Sequence, residues 1–394
     1  MEIQPYSDWS SAVHGVSVSR RIPISGMIEV TERCNNRCAH CYVNLSREDR
    51  EARSNELTFE EHCRILDEIT AAGCLWICFT GGEIFIRKDF LDIYTYAKRK
   101  GMLVTLFTNG TLITPQIADY LVNWRPFSIE ITLYGHTKET YEAVSGIPGS
   151  YERCMEGVHL LMVRGLPLQL KTTALTLNKN EIGDMRHFVE EALEMDFKFD
   201  AIINPRCDCS QSPLEVRLTP AEVVALDLQA PKRVEEWKKL NAQFNADPHV
   251  PAKSDLLWQC GGGLNSFAVD PYGKLQICVL SKNESYDLRN GSFEEGWRHF
   301  LHQLKQKKIT RHTKCTACSL KTLCNMCPAN AELECMDAES PVDFLCEVAH
   351  LRAHAFGIPI APHGNCEYCE GGSRYQEILQ IVEKIKRERS FGPR

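Results

Sequence analysis

Residues 26–42 read GMIEVTERCNNRCAHCY. GMIEVT is a β-branched apolar run of strand length, and it delivers the chain directly into a Cys-x3-Cys-x2-Cys loop made by Cys34, Cys38 and Cys41. Working outward, five further runs alternate with helical patterns: LWICFT (75–80), LVTLFTN (103–109), FSIEITLY (127–134), LQLKTTALTL (168–177) and FDAIIN (199–204). The segments between them, among them LTFEEHCRILDEITAAG and KDFLDIYTYAKRKG, carry apolar residues at helical spacing and end in Gly. Strands alternating with crossover helices predict a parallel sheet of α/β class. That order puts Cys34, Gly81, Asn109 and Asn204 just after strands, where the functional loops of such folds collect.

Three thiolates are one short of the four that hold a [4Fe–4S] cube, which leaves one iron open for a chelating ligand. A structural zinc site closed by His40 or a remote Cys is the alternative. The second strand ends in FTGGE, with Gly81, Gly82 and Glu83. Paired glycines allow close approach to backbone, and a carboxylate beside them can hold an ammonium group.

The cysteine spacing and the GGE turn resemble the radical S-adenosylmethionine (SAM) enzymes over roughly residues 26–204. The resemblance implies a partial (β/α)6 TIM-like barrel. It implies that Cys34, Cys38 and Cys41 hold a [4Fe–4S] cluster, whose open iron takes the amino and carboxylate groups of SAM. Glu83, with Gly81 and Gly82, would bind the amino group, and His40 would lie against adenine. Asn109 and Thr132 would face the ribose and Lys171 the carboxylate. In TLYG, Tyr134 stands where many relatives carry Asp. The implied chemistry is reductive cleavage of SAM to a 5′-deoxyadenosyl radical that abstracts hydrogen from substrate, with a reductant such as flavodoxin or ferredoxin.

A second cysteine array follows: Cys260, Gly273 and Cys278, then Cys315-x2-Cys318-x5-Cys324-x2-Cys327, then Cys346. It resembles the SPASM extension of peptide-maturation and anaerobic sulfatase-maturing enzymes, which implies two auxiliary [4Fe–4S] clusters. By it, Cys315, Cys318, Cys324 and Cys346 ligate the distal cluster, and Cys260, Cys278 and Cys327 the near one. Its fourth ligand stays open among Cys335, Cys207, Cys209, a substrate thiolate or none. Structural zinc is the alternative for this region. Cys366 and Cys369 form a further Cys-x2-Cys pair that binds metal, forms a redox pair or does neither. Cys63, Cys74, Cys78 and Cys154 lie in helix or strand patterns and read as small buried hydrophobes.

These readings divide the chain into an N-terminal segment (1–25), a radical SAM partial barrel (26–204), a bridge (205–259), a small SPASM-like auxiliary-cluster domain (260–350) that needs metal to fold, and a tail with one amphipathic helix (351–394) packed on the barrel. With 394 residues, 43% of them hydrophobic and 25% charged, the chain has the composition of a globular protein. A net charge of −7 offers no general attraction to nucleic acid or anionic membrane. Neither a secretory signal nor an 18-residue apolar stretch is present, so a cytoplasmic location is expected. Nineteen cysteines in reducing cytosol then suit metal better than disulfides.

Auxiliary clusters beside a radical site favour net oxidation, because they give a substrate electron somewhere to go. The expected substrate is a ribosomally made peptide that gains a crosslink or thioether or is dehydrogenated. Only about 25 residues precede the first strand, too few for a fused leader-recognition domain, so a discrete recognition protein is expected. Alternatives are a small-molecule dehydrogenase, a tetrapyrrole side-chain decarboxylase resembling enzymes of haem synthesis, and a non-enzymatic metal-binding scaffold.

Overall fold

The computed structural model describes residues 6–43, 45–246 and 255–390; the remainder of the expected N-terminal segment (1–5), bridge (247–254) and tail (391–394) lies outside the described residues. The chain forms two compact units. The first comprises residues 1–207, 212–216 and 260–306, and the second residues 208–211, 217–259 and 307–394.

In the first unit, strands β1 (Ser25–Thr31), β2 (Trp76–Gly81), β3 (Leu103–Thr108), β4 (Ser128–Thr132), β5 (Leu168–Thr173) and β6 (Lys198–Asp200) pair in chain order. All five pairings are parallel, as the βα alternation predicts for a partial barrel. The intervening helices form where local signals say they should. Helix α1 (Phe59–Ala71) opens with a capping box in which Glu61 N donates to Thr58 Oγ1 at 3.2 Å and Thr58 N donates to Glu61 Oε2 at 2.7 Å. It buries His62, Ile65, Leu66 and Ile69, the i, i+3, i+4, i+7 face, and is followed by Gly73 at φ +98°. Helix α2 (Phe90–Arg99) buries Phe90, Ile93, Tyr94 and Ala97 in the same way, and α3 (Pro115–Asn123) starts on a Thr114 cap with Pro at its first position.

Alternate strand residues separate two environments. Ile77, Phe79, Val104, Leu106, Ile129 and Ile131 are buried, whereas Cys78, Thr105, Phe107, Glu130, Thr132 and Lys171 are half-exposed on the opposite face. Cys78 therefore shares a face with charged residues, and Cys63 is half-buried; Cys74 and Cys154 are buried as expected.

The chain passes from one unit to the other at 259/260, and residues 260–306 belong to the unit that holds the parallel strands. Strand β7 (Ser266–Val269) pairs parallel with β1 on its other side, and β8 (Lys274–Gln276) and β9 (Tyr286–Asp287) continue antiparallel from it. The turn between β7 and β8 is closed by Asp270, whose carboxylate accepts from Tyr272 N and Lys274 N, both at 2.9 Å, with Gly273 at φ +82°. SFAVDPYGKLQI thus forms a hairpin whose first strand is held by β1.

The second unit is helical. Helices α4 (Pro220–Leu228) and α5 (Pro231–Ala246) lie in the expected bridge and are separated at Pro231, and α6 (Asp343–Phe356) and α7 (Tyr375–Ser390) follow. Val224, Leu228, Leu351, Phe356, Ile378, Val382 and Ile385 share one apolar cluster. The amphipathic C-terminal helix, expected on the barrel, therefore packs its Ile378, Val382 and Ile385 stripe on α4 and α6 of its own unit. Arg352, fully buried, donates to Asp227 Oδ2 at 2.8 Å and to Leu323 O at 2.6 Å, which satisfies the charge away from water.

Candidate functional site

The cysteine loop is fixed at both ends. At its base, Arg33 pairs with Glu56 at 2.8 and 3.0 Å, both side chains buried. Further on, Arg37 N and Ala39 N donate to Ser145 O and Val144 O, the carboxyl end of helix Lys138–Ser145. Asn36 N donates to Cys34 Sγ at 3.4 Å, Asn109 Nδ2 donates to the same sulfur at 3.7 Å, and the Tyr134 hydroxyl bonds Cys38. Cys34, Cys38 and Cys41 lie close enough to act electrostatically on one another. Burial pushes the Cys34 thiol up to about 12 and Cys38 higher still. Cys34 and Cys38, costly to ionise alone but aimed at by hydrogen-bond donors, fit with Cys41 a cationic iron cluster, which stabilises the thiolates that burial disfavours.

Glu83 is completely buried. Its carboxylate accepts from Thr108 Oγ1 at 2.8 and 2.9 Å, from Asn109 N at 2.8 Å and from Phe85 N at 3.1 Å. Burial raises its pKa and these donors oppose the rise. Gly81 and Gly82 have a structural use beside the expected ligand approach. A Cβ on Gly81 would stand 2.1 Å from Thr31 O, and one on Gly82 2.2 Å from Arg33 O, so the glycines let the end of β2 press against the strand leading into the cysteine loop. Gly82 N and Glu83 N donate to those same two carbonyls at 2.7 and 3.0 Å. The GGE turn thereby sets Glu83 against the cysteine loop.

The structure gathers Cys34, Cys38, Cys41, Glu83 and Asn109, with His40 beside them. His40 is half-buried, edge-on to Tyr134 at 5.3 Å, and burial lowers its pKa to about 4, so its ring is neutral. The Asn109 amide is spent on the loop: besides Cys34 it donates to Asn35 Oδ1 at 3.0 Å, and its own oxygen accepts from Thr111. Lys171 is likewise engaged, pairing with Glu130 at 2.8 Å with its Nζ 3.4 Å from the Phe107 ring centre, and Thr132 sits opposite it in register. Sequence reasoning missed Thr108, Asn35 and Thr111, which no motif marks. It also missed a buried charged group on β1: Glu29 accepts from Lys282 Nζ at 2.5 Å and from Tyr42 at 3.5 Å, and burial raises its pKa to about 7 against the pull of Lys282.

Of the second array, Cys315, Cys318, Cys324 and Cys346 lie together in the second unit, where burial raises all four and pushes Cys318 up to about 12 and Cys324 to about 11. The expected near set is divided, with Cys260 and Cys278 in the first unit and Cys327 in the second. Cys207, also in the first unit, lies beside Cys278 and donates to Val279 O at 3.8 Å. Cys335 is exposed.

A six-stranded parallel βα sheet, with a three-thiol loop after its first strand and a buried carboxylate after its second, is the layout of a radical SAM domain. Residues 28–192 match the radical SAM superfamily, whose members use SAM and a [4Fe–4S] cluster, so the chain carries a radical SAM domain. The chain is similar to the antilisterial bacteriocin subtilosin biosynthesis protein AlbA of Bacillus subtilis, at 24% identity over 78% of this chain and 67% of that protein. It is 32% identical to the AdoMet-dependent heme synthase of Methanosarcina barkeri, but over 39% of this chain and only 43% of the relative's length. In fold it resembles Streptococcus suis SuiB bound to the precursor peptide SuiA, with a TM-score of 0.63 at 15% identity over 88% of this chain and 82% of that one. No helix among the described residues is long and apolar enough to cross a membrane.

Proposed function

We propose that this chain oxidatively modifies a ribosomally made peptide, forming a crosslink or thioether or dehydrogenating it. The observation that carries this reading is the four-thiol set Cys315, Cys318, Cys324 and Cys346 in a unit separate from the barrel. A radical SAM reaction needs only the Cys34, Cys38 and Cys41 cluster, so a second iron-binding set is of use where a substrate radical must lose an electron. The similarity to AlbA, which runs over 78% of the chain, supports a peptide as substrate.

In this reading Cys34, Cys38 and Cys41 would hold the [4Fe–4S] cluster, and the four thiols of the second unit would hold an auxiliary one. Cys260, Cys278 and Cys207 would contribute to the other. With SAM and the reduced cluster bound, the site held by Cys34, Cys38, Cys41 and Glu83 would supply radical abstraction of a hydrogen atom from substrate. Glu83, held by three donors in a dry site, binds the SAM ammonium. The Tyr134 hydroxyl and the Asn36 and Asn109 amides stabilise the ligand thiolates. Glu130 with Lys171, and Lys282 held in place by the buried Glu29, present charges that orient the substrate. A reductant of flavodoxin or ferredoxin type and a discrete leader-recognition protein complete the system, in the cytoplasm. Similarity to a haem synthase favours one second reading, decarboxylation of a tetrapyrrole side chain.

The test is to co-express the chain with short peptides encoded beside its gene, and separately to incubate the anaerobically reconstituted protein with SAM, dithionite and iron coproporphyrin. Peptides lighter by two hydrogen atoms, with 5′-deoxyadenosine formed, support the proposal. Loss of carbon dioxide from the porphyrin and unchanged peptides would replace it with the second reading.

A further inference from the structure

Cys366 and Cys369 lie outside both cysteine arrays, and the structure gives them partners that the sequence reading did not find. His350 on α6 and His363 in the loop after it converge with the two cysteines, and one ligand atom from each lies within 4.8 Å of all the others. All four side chains are at least nine-tenths buried. We propose that His350, His363, Cys366 and Cys369 bind a single zinc ion that ties α6 to the segment leading into α7.

The distances match one tetrahedral ion. Cys366 Sγ is 3.4 Å from His350 Nε2, Cys369 Sγ is 3.7 Å from the same nitrogen, and Cys369 Sγ is 3.6 Å from His363 Nδ1. Bonds of about 2.3 Å to sulfur and about 2.0 Å to nitrogen, opened to the tetrahedral angle, place such atoms roughly 3.6 Å apart. The same closeness excludes a four-iron cube, whose ligand sulfurs must be separated by the cube and two further bonds. Two thiolates, two neutral imidazoles and a dication sum to zero charge, which makes full burial affordable.

The surroundings are those of a ligand set. His350 Nδ1 lies 2.7 Å from Cys346 O, a contact in which the ring donates to the carbonyl and leaves Nε2 with a free lone pair facing both sulfurs. His363 Nδ1 contacts Ala361 O at 3.0 Å, and its Nε2 is buried with no hydrogen-bond partner, a cost that ligation through Nε2 removes. The spacing His-x12-His-x2-Cys-x2-Cys completes a pattern of which only the last pair was noticed in the sequence. The ion would also serve the auxiliary set, because His350 stands one helical turn after Cys346, whose sulfur is 3.9 Å from its ring.

The competing occupant is iron, since Cys366 lies near Cys315, Cys318 and Cys346 and a cluster held there could recruit it. The experiment is metal analysis of the iron-reconstituted enzyme, with zinc-edge X-ray absorption on the same sample. About one zinc per chain, with two sulfur and two nitrogen neighbours, is expected. In the His363→Asn/Cys369→Ser variant zinc should fall at least tenfold while iron and sulfide stay unchanged. Absence of zinc after growth with zinc, a zinc shell of four sulfurs, or loss of iron in place of zinc would each overturn the proposal. Should the variant fail to fold, cobalt-supplied wild type decides: visible bands of tetrahedral cobalt with thiolate ligands support the site, and an octahedral spectrum rejects it.

Discussion

Glu83 carries the sharpest demand made of any side chain here, because a fully buried carboxylate is tolerable only if it is neutral or paired. It is held by neutral donors alone, and burial raises its pKa, so an ammonium group arriving beside it relieves the cost. Glu83→Gln keeps the shape and removes the charge. SAM affinity should fall about 10- to 100-fold, the size of one charge-assisted bond, at unchanged iron content; unaltered affinity in a titration would remove Glu83 from the site. His62 gives the pH dependence. Buried in α1 beside Arg87, its ring is held neutral down to about 3 against an ordinary 6.5. The unfolded chain takes up that proton first as pH falls, so stability is complete above about pH 6.5 and is lost towards pH 3. At pH 5 the loss is about 2 kcal/mol. His62→Leu should flatten the decline of the thermal midpoint between pH 7 and 5, and an equally steep decline in the variant would assign the effect elsewhere.

At the scale of elements, the joint between β1 and β2 decides whether the cysteine loop and Glu83 meet. Gly82→Ala would push a methyl group to within 2.2 Å of Arg33 O, backbone that cannot rotate away, so the strand ends must part. A destabilisation of about 2 kcal/mol or more is expected in denaturant titrations, together with lost iron; a fully loaded variant of wild-type stability would show that the joint yields. This joint also marks how much was legible. Helices α1 to α3 were readable because caps and apolar spacing are local signals: Thr58 with Glu61, Pro115 after Thr114, Gly73 after α1. Strand β7 was not, because its four residues become a strand only by pairing with β1, some 240 residues away in the chain. The triad and Glu83 were legible as motifs. The carbonyls that fill the glycine spaces, and the Asn109 and Lys171 side chains turned to protein partners, depend on contacts that spacing does not encode.

For the whole molecule, metal stoichiometry joins the units to one chemistry. If the cysteine arrays hold three [4Fe–4S] clusters, reconstituted protein carries about twelve irons. Replacing Cys34, Cys38 and Cys41 by Ala should remove about four and abolish 5′-deoxyadenosine, whereas Cys315→Ala/Cys318→Ala should remove about four and leave SAM cleavage in place. Cys207 is the informative position for the remaining set. It follows β6, lies beside Cys278 in the same compact unit, and its thiol is pushed up to about 12 by burial, a cost that an iron ligand recovers and an idle thiol does not. Its backbone N donates to Tyr42 O just past the cysteine triad, so a ligand there would be anchored to the loop that we propose holds the SAM cluster. Cys207→Ala should lower iron from about twelve to about eight per chain while the SAM cluster stays active, and exposed Cys335→Ala should change nothing. If both variants keep all their iron, Cys207 is a buried thiol like Cys154, and the set containing Cys260 and Cys278 closes without it.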